Sequence, residues 1–106
     1  MSTMHIATAT RSYARSIERV AAKSTDPVVT ERLLTAAVGM RIALEMLPEG
    51  SPHQLFELRH RAAAITAIPT VGTSAQASLL AAHAVFAERA AEWALACGLG
   101  TRPAPV

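Results

Sequence analysis

DPVVTERLLTAAVGMRIALEML, residues 26–47, is the stretch on which the fold turns. Asp26 followed by Pro27 is a helix start, with a side-chain acceptor at the N-cap and a ring whose fixed φ suits the first helical position. Wound as a helix, Val29, Leu33, Ala36, Met40, Leu44 and Leu47 form one apolar stripe. A second stripe, Leu34, Val38, Ile42 and Met46, runs along the opposite side among Glu31, Thr35, Arg41 and Glu45. One stripe attaches a helix to its own core. The second calls for another surface, either a third layer of the same fold or a partner. Gly39 sits inside this helix, where it costs about 1 kcal/mol against alanine. With Ala36 and Ala43 it offers a flat patch for a close helix crossing, although a tolerated glycine is an equally good reading.

Two further starts lie downstream. Ser51-Pro52-His53-Gln54 again places Pro at the first helical position, with Gln54 spaced to complete a capping box. Thr73-Ser74-Ala75-Gln76 repeats the capping-box spacing. Breaker segments precede each start: Ser24-Thr25, Pro48-Glu49-Gly50 and Pro69-Thr70-Val71-Gly72. Gly98 and Gly100 suit a C-terminal stop. Helices are therefore predicted over about 4–23, 27–47, 52–67 and 74–97, and no segment alternates with the period of a half-buried strand. Short linkers between antiparallel neighbours make an all-α, antiparallel four-helix bundle the simplest closure. It is expected as one domain over 1–100 with a flexible tail over 101–106, either closed within the chain or completed by dimerisation of two hairpins. The buried faces should be Ile6, Ala9, Tyr13, Ile17 and Val20 on the first helix, and Leu55, Leu58, Ala62 and Ile65 on the third. On the fourth, Leu79, His83, Phe86, Ala90, Trp93 and Cys97 make a seam with the spacing of a coiled coil.

Of the 106 residues, 51% are hydrophobic and only 17% charged, against about 25% charged in a typical soluble domain. Polar surface is thus scarce for an isolated monomer, which favours an oligomer or a subunit. No apolar run approaches the roughly 20 residues of a membrane span. Residues 1–11 lack the pattern of a secretory leader, and a single cysteine, Cys97, precludes an intrachain disulfide. A cytoplasmic protein is the expectation. The net charge of +2 is mild for a dedicated nucleic-acid binder.

Four constellations invite a chemical reading. Arg11, Arg15, Arg19 and Lys23 recur every four residues on one side of the first helix, opposite Tyr13 and Ile17, with Glu18 alone close enough to relieve their repulsion. Such a row suits phosphates or an acidic partner, but no aromatics are interleaved for stacking on bases, and a solvated face is the simpler reading. His53, Glu57 and His60, beside Arg61, share the outer face of the third helix, and Glu57-Leu58-Arg59-His60 has the Glu-x-x-His spacing of di-iron bundles. Those sites need a second such pair and two more glutamates, all inward. One outward pair makes no metal site, and no cofactor is expected. His83 reads as a core histidine and Cys97 as a small buried apolar residue. About 21 Å of helix rise between them excludes a dyad within one helix. Finally, Arg32, Arg41 and Glu45 flank the second helix's stripes. Inward, they would make an anionic-substrate pocket of an all-helical enzyme. The preferred reading pairs Arg41 with Glu45 at an interface.

The leading expectation is a small, non-catalytic helical interaction protein, whether adaptor, chaperone, regulator or assembly subunit. Its partner is a second copy or another protein subunit, met through Leu34, Val38, Arg41, Ile42, Glu45 and Met46. The alternatives are a nucleic-acid-binding regulator using Arg11, Arg15, Arg19 and Lys23, and an enzyme with the Arg/Glu set.

Overall fold

The computed structural model describes residues 4–70, 72–96 and 98. They form α1 (Met4–Lys23), α2 (Pro27–Met46), α3 (Pro52–Ile65) and α4 (Thr73–Ala96). Each helix packs on its chain neighbours, and α1 also packs on α4, so the ring closes within a single chain as a four-helix bundle. Of the four contacts that close the ring, the α1–α2 hairpin is the most extensive and α3–α4 the least. The expected tail over 101–106, Gly100 and Cys97 lie outside the described residues.

The helix ends follow from local chemistry. Asp26 caps α2, its carboxylate accepting from the Val28 N–H at 2.9 Å. Ser51 caps α3, its hydroxyl accepting from the Gln54 N–H at 3.0 Å. Two predicted ends overran. Leu47 is extended rather than helical, and α3 stops at Ile65 because the N–H groups of Thr66, Ala67 and Ile68 each bond three residues back, tightening the last turn.

Both capping-box glutamines do something the spacing did not reveal. Gln54 is buried; its Oε1 accepts from the Gly50 N–H at 3.1 Å and its Nε2 donates to the Leu44 carbonyl at 2.8 Å. It stitches the end of α2 to the start of α3. Thr73 is already helical, and the Gln76 N–H bonds the Gly72 carbonyl at 3.3 Å. The Gln76 side chain accepts from the Thr70 hydroxyl and donates to the Thr66 carbonyl, stitching α3 to α4. A carbonyl at a helix end lacks an intrahelical donor, and in both junctions a glutamine of the next helix supplies one.

The core collects the expected faces: Ile6, Tyr13, Ile17 and Val20 from α1; Leu33 and Met40 from α2; Leu55, Leu58, Ala62 and Ile65 from α3; Leu79, Phe86, Ala90 and Trp93 from α4. Val29, Ala36, Leu44 and Leu47 are half-buried against it. Small residues fill the tightest places, with Ala14, Ala37, Ala43 and Ala94 all buried. Tyr13 occupies the middle. Its ring stacks on Phe86 at 5.4 Å between centroids and leans toward His83 at 6.1 Å. Its hydroxyl reaches across the bundle and donates to the Ala62 carbonyl at 3.1 Å. Burial pushes the Tyr13 phenol up to about 12. Trp93 is only 3% exposed, and its indole Nε1 has no hydrogen-bond partner among the described residues.

Candidate functional site

With Leu33 and Met40 in the core and the rest of its main stripe packed against it, α2 turns its second stripe outward. Leu34, Val38, Ile42 and Met46 are 44%, 52%, 51% and 76% exposed. They stand one turn apart, so their side chains form a ridge of the kind that packs into the groove of another helix. Neighbouring helices of this chain leave that ridge uncovered.

The polar set beside it is arranged differently from the sequence reading. Arg41 hydrogen-bonds Glu18 of α1, not Glu45, through both terminal nitrogens, the second contact measuring 3.1 Å. The physical reason has two parts. Arg followed by Glu four residues later is the weaker order for a helical ion pair. In addition, side chains tilt toward their own helix N-terminus, so in antiparallel neighbours the tilts of Arg41 and Glu18 converge. The hydrogen bond from Arg41 holds the Glu18 carboxyl below its usual range, with the charge of Arg41 and that of Arg15 adding to the effect. The Arg41 guanidinium is raised correspondingly, first by the Glu18 hydrogen bond. Both side chains remain 36% exposed. Such a pair contributes less than about 1 kcal/mol, so its effect is to orient α1 against α2 more than to hold them together. Glu45 and Arg32 are exposed. Arg32 lines a groove between α2 and α3, together with Glu31 and Arg61. Arg32, Arg41 and Glu45 are therefore not gathered into one pocket.

With Glu18 hydrogen-bonded to Arg41, the basic row of α1 keeps only the longer-range attraction between Arg15 and Glu18, and no residue of the row forms an ion pair at salt-bridge distance among the described residues. Arg11, Arg15, Arg19 and Lys23 are all exposed, and Arg19 donates to the Ser16 hydroxyl at 3.0 Å. On α3, Glu57 pairs with Arg61 at 3.2 Å and His60 stacks on Phe56, while His53 is exposed. Among the described residues no three His, Cys, Asp or Glu side chains come together as metal ligands. His83 is half-buried against Tyr13 and does not lie in the closed core that its seam position implied.

The sequence reading missed Glu18 as the partner of Arg41. Its only visible signal was a lone carboxylate in a basic row, since cross-helix register cannot be read from spacing within one helix. Among the described residues no helix is long and apolar enough to cross a membrane. Compared with protein-family models, with curated proteins and with solved structures, the chain matches none of them.

Proposed function

We propose that this protein is a non-catalytic helical interaction module whose working surface is the outer face of α2. One observation carries the reading: a continuous ridge of four large apolar side chains, one per turn, stands in solvent on a helix whose other face is already in the core. Exposed apolar patches of this kind mark sites of association. Adaptor, chaperone, regulator and assembly subunit all act through such a face. A second copy of the chain is a self-consistent partner. A two-fold axis crossing the ridge midway sets Leu34 opposite the partner's Met46 and Val38 opposite the partner's Ile42. Two ridges of four-residue spacing interdigitate at about −50°, which concentrates the contact on Val38 and Ile42. Arg41, held by Glu18, and Glu45 form the polar rim.

Size-exclusion chromatography with light scattering tests the reading. The wild type should elute as an assembly at micromolar concentration. Leu34→Glu combined with Ile42→Glu should give a monomer with unchanged helical circular dichroism, since both positions are outside the core. A wild type that is monomeric, with no protein partner co-purifying, overturns it.

A further inference from the structure

A groove of about 620 Å³ runs between the C-terminal half of α1 and the N-terminal half of α4. That is within the range of roughly 300–1,000 Å³ typical of ligand sites. From Ser74 to Val85 its α4 wall is about 17 Å long at helical rise. Its floor is apolar: Val20 is buried, and Val29, Ala75 and Ala82 are half-buried against the core. Val85, on the wall, is 59% exposed. Hydroxyls of Ser24, Thr25, Thr70 and Ser74 gather at the end where α1 finishes and α4 begins. Arg19 and Lys23 are the charged residues of the lining, and no carboxylate joins them. The α2–α3 groove has a similar volume of about 630 Å³ but mixes Glu31 with Arg32 and Arg61, and Arg61 is already paired with Glu57, so carboxylates attend its cations.

We infer that the α1–α4 groove binds a single-chain amphiphile with an anionic head, a carboxylate or a phosphate monoester. Arg19 and Lys23 hold the head, while Val20, Ala82 and Val85 cover the alkyl tail. Charge complementarity selects the anion. The two cations stand one turn apart on α1, where they repel, and Glu18, the carboxylate nearest to them in the helix, is held by Arg41. Arg19 uses one donor on Ser16, and a guanidinium carries five. An arriving anion thus relieves a repulsion that nothing in the lining relieves. This site is separate from the ridge of α2 and does not depend on its role.

The test is a titration of the full ¹⁵N-labelled chain with sodium dodecanoate and, separately, dodecyl phosphate, each below its micelle concentration. Backbone amides of 16–25 and 74–85 should shift and saturate, and whichever compound binds more tightly identifies the head. Arg19→Glu with Lys23→Glu, both exposed and outside the core, should weaken binding by about tenfold or more, as expected for loss of charge-assisted contacts. Dodecyltrimethylammonium, which shares the tail but reverses the charge, should leave those amides unmoved. Equal binding of the cationic compound, an unaffected double variant, or shifts confined to 34–46 would each overturn the inference. So would a short DNA duplex engaging Arg11 and Arg15 more tightly than either amphiphile engages the groove.

Discussion

Tyr13 shows how one side chain can organise a bundle this small. Its ring fills the space between α1 and α4, and its hydroxyl satisfies a carbonyl on α3, the helix diagonal to its own. The acceptor is well chosen. The Thr66 N–H, the ordinary donor to the Ala62 carbonyl, turns to Ala63 as the last turn of α3 tightens. Tyr13→Phe keeps the ring and removes the donor. It should cost about 1–2 kcal/mol, the range for leaving a buried backbone acceptor unpaired, measured as a lower urea midpoint with an unchanged slope. An unaltered midpoint would show that water replaces the hydroxyl. Gln54 and Gln76 work by the same rule at the helix junctions. In all three cases the polar residue is visible in the sequence, but its partners lie on another helix or in the junction before its own, and are not.

At the scale of elements, α2 is the clearest case of what could be read and what could not. Its start at Asp26, its buried stripe and its outward ridge all follow from three local facts: cap chemistry, proline at the first position and the 3.6-residue period. Those signals lie within one helix, so they survive without tertiary information. The Arg41 pairing does not, because it depends on how α1 and α2 slide past one another. At Gly39 the sequence allows either a close-crossing patch or a tolerated residue, and the surroundings of its Cα distinguish the two. A β-carbon added at Gly39 would meet only Nη1 of Arg61, at 3.1 Å. That is the free end of a flexible side chain, on a residue 47% exposed in its side chain. No neighbouring backbone demands glycine. Gly39→Ala should therefore stabilise the protein by up to about 1 kcal/mol through helix propensity. Thermal unfolding reads this directly, and a lower melting temperature would mean that Arg61 cannot yield.

For the whole molecule, two titrations on α1 make stability depend on pH, one at each end of the range. Glu18 has a folded value below its ordinary 4.5, first because of the Arg41 hydrogen bond. Its contribution is present above the unfolded value and is lost as pH falls through the folded one. Tyr13 is raised from 10.0 to about 12 by burial. Its contribution is constant below pH 10 and fades as pH rises from there toward 12, because the unfolded phenol ionises first. Urea unfolding across pH should thus give a plateau with a shallow acid limb and a steeper alkaline one. Glu18→Gln should flatten the acid limb's share by less than about 1 kcal/mol, as fits an exposed pair, and Tyr13→Phe should flatten the alkaline limb. If neither variant changes its limb, other groups set the range.

Trp93 gives the molecule a built-in optical gauge. It is the single tryptophan of the chain, dry and without a partner for its indole N–H among the described residues. Eight residues past Val85 on the same helix, about 12 Å at helical rise, it stands clear of the α1–α4 groove yet inside the closed ring. Short-wavelength emission from this one fluorophore registers closure of the bundle as a whole, and a red shift registers its opening. Because Trp93 does not line the groove, an occupant there makes no direct contact with the indole. The state of the fold can therefore be followed in the same sample in which the groove is being filled.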